Sequence, residues 1–190
     1  MKRYDASYFE RFYRDPRHRV TTPAALQRRV ALVVALAEEI LDRRVRSVLD
    51  VGCGEARWRA PLRALRPRIE YIGLETSEYA LERYGRARGI RRLSFGELAE
   101  LTGQEFDIVL CVDVLHYLTP RELDRGLETL PDLVGGIAHL DVTTREDRPS
   151  GDLNGWRARP RAWYEERFEK AGLVNLGMQC WERQGLGARG

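Results

Sequence analysis

Val48-Leu49-Asp50-Val51-Gly52-Cys53-Gly54-Glu55-Ala56 is the most informative stretch of this chain. A mostly apolar, β-favouring run enters a turn with two glycines, and helix-compatible residues follow. Gly52 and Gly54 permit backbone angles and close approaches that a Cβ would block. A ligand can lie against such a turn, near the positive N-terminal end of the next helix. That context suits an adenosyl ligand at the carboxyl end of a parallel strand.

Glu75 strengthens the reading. It closes a second strand-like run, Glu70 to Glu75 (EYIGLE), about twenty residues past the glycine turn. A carboxylate there accepts hydrogen bonds from a ribose diol. A dinucleotide fingerprint wants a third glycine, and Arg57 occupies that position. NAD is disfavoured accordingly.

Outward from this core, strand-like and helix-like patterns alternate. Thr22 is placed to cap a helix that starts at Pro23 and runs to about Arg44. A β-rich run covers Val45 to Val51, and Ser77 starts a helix to Arg86. A short strand falls near Ile90 to Leu93, and Phe106 to Val112 (FDIVLCV) reads as a buried strand. Pro120 to Leu130 is helical and Gly136 to Val142 is a strand. Pro160 to Ala171 is a helix, and Leu173 to Trp181 forms a last strand or hairpin arm. Such alternation predicts an α/β fold: one doubly wound, mostly parallel sheet with helices on both faces. The 190 residues fit a single domain. We divide it into an N-terminal helical lid and first helix (1–44), an α/β core (45–183) and a tail (184–190).

Composition excludes several classes. The apolar run Val30 to Ala37 is too short to span a bilayer. The N-terminus, MKRYDASYFERFYRD, lacks the apolar core of a signal peptide, which points to a cytoplasmic protein with no membrane partner. Cys53, Cys111 and Cys180 are widely spaced, so neither a metal site nor a disulfide framework is expected. The net charge is +3, and of the 32 basic residues only Lys2 and Lys170 are lysine. Acidic residues interleave with the arginines, which fits a solvated mixed-charge surface better than a nucleic-acid face.

Three motifs in order then resemble a known family, the class I S-adenosylmethionine (SAM)-dependent methyltransferases. They are VLDVGCGEARW from Val48, YIGLE from Tyr71, and FDIVLCVDVLHYL from Phe106 to Leu118. The resemblance covers about residues 45–142. It implies a seven-stranded Rossmann-like sheet with SAM across the carboxyl ends of the first, second and fourth strands. It places Asp50 beneath the methionine moiety, and Gly52, Cys53 and Gly54 along the ligand. Glu75 would hold the ribose, and Glu97 with Leu98 would meet the adenine. Cys111 and Asp113 would line the pocket where sulfonium and acceptor meet. The chain departs from the family at Ala56, where many members have glycine, at Glu55, often threonine, and at Glu97, more commonly aspartate.

Methyl transfer mostly requires alignment, helped by a general base. Candidates after the fourth and fifth strands are His116 first, for its near-neutral pKa, then Asp113, with Tyr117, His139 and Asp141 behind. His139 reads as a core histidine. Family members that methylate amino groups of nucleobases or glutamine usually carry an Asn/Asp-Pro-Pro-aromatic run here. Cys111-Val112-Asp113-Val114 lacks it. The N-terminal aromatics Tyr4, Tyr8, Phe9, Phe12 and Tyr13 are candidates for a lid. Trp156, Trp163 and Tyr164 could wall an acceptor, with Arg157, Arg159 and Arg161 holding an anionic group on it; core packing and solvation are the competing readings. The expectation is methyl transfer to oxygen or nitrogen of a small-molecule acceptor, without nucleic acid. The alternatives are an RNA methyltransferase and a non-catalytic SAM/SAH-binding subunit. Oligomeric state stays open.

Overall fold

A computed structural model describes residues 4–148 and 152–186. Seven strands form one sheet in the order β3-β2-β1-β4-β5-β7-β6. They are β1 (Ser47–Val51), β2 (Glu70–Glu75), β3 (Ile90–Arg92), β4 (Phe106–Val112), β5 (Val134–Asp141), β6 (Leu173–Gly177) and β7 (Cys180–Arg183). The first five are parallel, and β7 runs antiparallel to both β5 and β6. The order reverses beside β1, which pairs with β2 on one side and β4 on the other. A doubly wound sheet opens a crevice at that switch point, outside the carboxyl ends of its strands.

The β4 run is buried along almost its whole length, as a continuous apolar segment between two covered faces requires. Alternation along β1 sends Val48 and Asp50 to one face, Leu49 and Val51 to the other. Val48 joins a cluster with Val30, Val34 and Ala37 of helix α2 (Pro23–Leu41) and Leu62 of α3 (Arg59–Leu65). Leu49 joins the opposite cluster, with Leu123 of α5 (Pro120–Leu127), Leu130 of α6 (Leu130–Leu133) and Phe168 of α7 (Arg161–Lys170). Helices therefore cover both faces.

Capping chemistry sets helix starts. The Thr22 hydroxyl accepts from the Ala25 N–H at 3.2 Å and Pro23 opens α2. The Ser77 hydroxyl accepts from the Ala80 N–H at 3.2 Å to start α4 (Glu78–Arg88). The N-terminal segment is one α-helical turn, α1 (Ala6–Phe9), continued as a π-helix over Glu10–Arg14. Residues 173–181, expected as a last strand or hairpin arm, form one arm of a hairpin, its turn and the start of the other arm. Gly177, Met178 and Gln179 all take positive φ and reverse the chain between β6 and β7. Among the described residues no helix is long and apolar enough to cross a membrane. Residues 187–190 of the expected tail, and 149–151 in the loop after β5, lie outside the described residues.

Candidate active site

One cavity of about 350 Å³ opens at the carboxyl ends of β1, β2 and β4. Its floor is the glycine turn. Gly52 and Gly54 have φ of +70° and +54°, where a side chain is strained. Space is equally tight. A Cβ on Gly52 would lie 2.3 Å from Val114 Cγ2, and one on Gly54 would lie 2.7 Å from the Tyr13 hydroxyl. Ala56 also takes positive φ, at 57°. Alanine thus holds a left-handed position at the place where the resembling family often has glycine.

Glu75 locks this turn. Its Oε2 accepts from the Gly54 N–H at 2.7 Å, and its Oε1 accepts from the N–H groups of Thr76 and Ser77 at 2.7 and 2.9 Å. A carboxylate has about four acceptor positions, so about one remains for a ligand hydroxyl. Asp50 lies deeper in the floor, buried, and accepts from the Tyr71 hydroxyl at 2.6 Å. Burial pushes its pKa up to about 7, against the Tyr71 bond and with help from the Glu75 charge. Tyr71 opens the YIGLE motif, which by itself gives this residue no role. It faces Asp50 because both side chains lie on one face of the paired strands β1 and β2. Gly73 was likewise missed: a Cβ there would lie 2.6 Å from Cys53 Sγ.

The far wall is built by the segment after β4. Asp113 has a φ of +60°, tolerable for aspartate, and its N–H donates to the Asp141 carbonyl at 3.2 Å. Its carboxylate is accessible along the cavity yet enclosed on its other sides. That enclosure, and the Asp141 charge, raise its pKa to about 6, while Arg29 and Arg57 oppose the rise. Asp141 itself is ion-paired with Arg29 of α2. His116 is buried in a short 3₁₀ turn, Leu115–Tyr117, and lines the cavity. The Thr143 N–H donates to its Nδ1 at 3.3 Å. A neutral ring that accepts at Nδ1 carries its proton on Nε2.

The N-terminal segment forms the roof. Phe9 is buried, and its ring packs on Tyr13 and Tyr79 with centroids 4.9 and 5.5 Å apart. Arg14 pairs with Glu55, the Ser77 hydroxyl donates to the Tyr4 carbonyl at 2.6 Å, and Arg57 donates to the Thr21 carbonyl at 2.9 Å. The loop after β5 adds Trp156, whose indole N–H donates to the Thr143 carbonyl at 3.1 Å.

Of the ten site residues expected from sequence, Asp50, Gly52, Cys53, Gly54, Glu75, Asp113 and His116 line this cavity together. Cys111, Glu97 and Leu98 do not. Cys111 is buried in the sheet core, with burial raising its thiol pKa. Glu97 turns outward, because its carboxylate caps its own 3₁₀ turn, accepting from the Ser94 N–H and hydroxyl at 2.9 and 2.6 Å. Leu98 packs in the core, and Leu93, Ser94 and Phe95 form the wall instead. Of the acceptor-wall candidates only Trp156 reaches the cavity. The guanidinium groups of Arg159 and Arg167 lie 4.1 and 3.7 Å from the Trp163 ring centre, and Tyr164 is buried. His139 is a core histidine, with Nδ1 3.5 Å from Cys180 Sγ and no partner at Nε2 among the described residues. Burial lowers its pKa to about 4. No group of three or more candidate ligands for a metal occurs among the described residues.

Residues 49–135 match the profile of a family described as a methyltransferase domain. These residues, a little under half of the chain, are similar to that family. An uncharacterised protein of Synechococcus sp. is 37% identical over 106 residues. That match covers 50% of this chain and 25% of the relative, so the chain spans a quarter of the length of the curated relative it matches. Among solved structures, a SAM-dependent methyltransferase from Archaeoglobus fulgidus superposes with a TM-score of 0.64 at 15% identity. The alignment covers 89% of this chain and 74% of that one. The magnesium protoporphyrin IX methyltransferase of Synechocystis PCC 6803, solved with bound SAM, gives a TM-score of 0.59 at 18% identity. There the coverage is 88% and 80%. At such identities the likeness is one of fold.

The class I methyltransferase cofactor fits the residues present. The glycine turn leaves backbone where a Cβ would intrude, Glu75 offers an acceptor at the second strand end, and the cavity continues from both to Asp113.

Proposed function

We propose that this chain transfers a methyl group from SAM to oxygen or nitrogen of a small-molecule acceptor. The observation that carries the reading is that one cavity joins the glycine turn and Glu75 to Asp113 and His116. Asp50, Gly52, Cys53, Gly54 and Glu75 would hold the cofactor, with Ser94 and Phe95 beside the adenine. When bound, SAM supplies a methyl group on a sulfonium, with SAH as the leaving group.

Asp113 is the proton acceptor in this reading. Its pKa near 6 leaves it ionised at neutral pH, yet basic enough to take a proton from an acceptor during transfer. His116 has a different role. With Nδ1 serving Thr143, its Nε2–H is a donor, suited to orienting a hydrogen-bond-accepting group of the substrate.

Three observations support a small acceptor. The cavity is roofed by the segment Tyr4–Thr21, with Tyr8, Phe12 and Tyr13 in its wall. Its volume is that of a small-molecule pocket. And Arg157, Arg159 and Arg161 bond within the chain, so they do not extend a free arginine face of the kind RNA binding would need. We take residues 4–44 as a lid and first helix on the 45–183 core, in one cytoplasmic domain. Incubation with methyl-labelled SAM and a metabolite library tests the activity. Label transferred to a small product supports it; label reaching only RNA, or nothing, contradicts it.

A further inference from the structure

The charged groups of the cavity wall are unequally engaged. Its two guanidinium groups have partners: Arg29 is ion-paired with Asp141, and Arg57 donates to the Thr21 carbonyl with its guanidinium 4.9 Å from the Tyr13 ring centre. Four carboxylates are also engaged: Asp50 by Tyr71, Glu75 by three backbone N–H groups, Glu122 by the Thr119 N–H and hydroxyl, and Asp152 by the Asn154 N–H. Asp113 differs. Among the described residues its side chain has neither a hydrogen bond nor a salt bridge, and it faces the open cavity.

Tyr8, Tyr13 and Tyr117 line the same cavity. The charge of Asp113 opposes ionisation of Tyr8, Tyr13 and Tyr117, and burial of each ring acts in the same sense. All three therefore keep their phenol protons at neutral pH. A carboxylate in a cavity walled by neutral aromatic rings suits an organic ammonium group, which it attracts by its charge while the rings add cation–π attraction. An anionic acceptor would meet the like charge of Asp113. The arginines that could have held it are turned away, Arg157 to the Tyr117 carbonyl, Arg159 to the Leu118 carbonyl and Arg161 to Asp147.

We infer that the acceptor is an amine, bound as an ammonium ion by Asp113 among Tyr8, Tyr13 and Tyr117, and methylated on nitrogen. This rests on the proposed methyl-transfer reading and narrows it. The steps balance. Asp113 takes one proton from the ammonium and becomes neutral. The freed lone pair forms the new C–N bond as the C–S bond of the cofactor breaks, and that electron pair stays on sulfur to give SAH.

The test uses three small probes of similar shape: phenethylamine, 2-phenylethanol and phenylacetate. Protein is first titrated with SAH by calorimetry; failure at this step contradicts the cofactor reading, separately from the amine inference. Probe binding to SAH-loaded protein is then measured by saturation-transfer NMR at millimolar concentrations. The expected order is amine above alcohol above carboxylate, with the amine favoured over the carboxylate by about tenfold or more. D113N should reduce the amine to the level of the alcohol; asparagine tolerates the same backbone angles. Several outcomes overturn the inference: phenylacetate binding as well as the amine, no probe binding, or an amine preference that survives in D113N. Amine binding seen only without SAH also overturns it, because the ammonium site would then belong to the cofactor. If D113N no longer holds SAH, the order of the three probes on the unmodified protein decides.

Discussion

The Glu75 carboxylate accepts the Gly54 N–H at 2.7 Å, so the group we propose as the ribose acceptor also holds the glycine turn. In that reading, ligand binding and local structure are coupled through one side chain. Glu75→Ala should therefore lower both. It leaves the Gly54, Thr76 and Ser77 N–H groups without their acceptor, a loss of about 1–3 kcal/mol in urea unfolding. SAH affinity should fall by at least about tenfold, near the worth of one charge-assisted bond. Normal SAH affinity in a destabilised protein would leave Glu75 a purely structural role.

Gly54→Ala and Gly103→Ala separate strain from space. Both glycines have positive φ, at +54° and +87°. A Cβ on Gly103 meets nothing within 4 Å, whereas one on Gly54 meets Tyr13 at 2.7 Å and Phe9 at 3.1 Å. Backbone strain alone costs about 1–2 kcal/mol and applies to both. Only Gly54→Ala should also loosen the roof, read as faster proteolysis within residues 4–21. Equal protease sensitivity in the two variants would contradict the packing described.

Asp50 makes stability depend on pH. Its pKa is about 7 in the folded protein, against 3.8 for an ordinary aspartate. The folded state therefore binds the proton more tightly, and this contribution, full below about pH 4, is lost as pH rises through about 7. Asp113, raised to about 6, acts in the same sense, while His139, lowered to about 4, acts oppositely up to its ordinary 6.5. The informative quantity is thus a difference. Asp50→Asn should gain stability relative to wild type as pH rises from about 4 to about 7, measured by urea unfolding. A pH-independent difference would contradict the burial of an ionisable Asp50.

Asp113 and His116 should respond differently to removal of their chemistry. With an acceptor in hand, Asp113→Asn should lower kcat by about 10²–10⁴-fold, the range for a lost general base. His116→Asn offers its amide oxygen to the Thr143 N–H, so the fold should persist while loss of the Nε2–H costs about tenfold in turnover. Full turnover in His116→Asn would reduce the ring to a support for Thr143.

Much of the fold was legible because period and punctuation agreed. β4 was expected over Phe106–Val112 and occupies those residues, since a continuous apolar run between charges has little choice but a covered strand. Thr22 and Ser77 announced their helices through hydroxyls placed for capping. The glycine turn and Glu75 were equally plain, and they come together with Asp113 and His116.

What was not legible depends on register and local geometry. Tyr71 meets Asp50 only once β1 and β2 are paired. Glu97 looked like a ligand residue, but its spacing from Ser94 also makes a capping box, and the cap won. Cys111 and Asp113 are two apart, which on a continuing strand would place them on one face. The left-handed backbone at Asp113 ends that alternation and turns it to the cavity, while Cys111 stays in the core. A hairpin arm was one of two readings of residues 173–181, but the place of its turn, Gly177-Met178-Gln179, was not legible because two non-glycine residues take positive φ there, which residue type does not announce.

The most direct test of the account is a calorimetric titration of the purified protein with SAM and with SAH, with NAD as control. The account predicts saturable binding of both adenosyl ligands, weakened in Glu75→Ala, and no binding of NAD. Binding of NAD, or of neither adenosyl ligand, would contradict it.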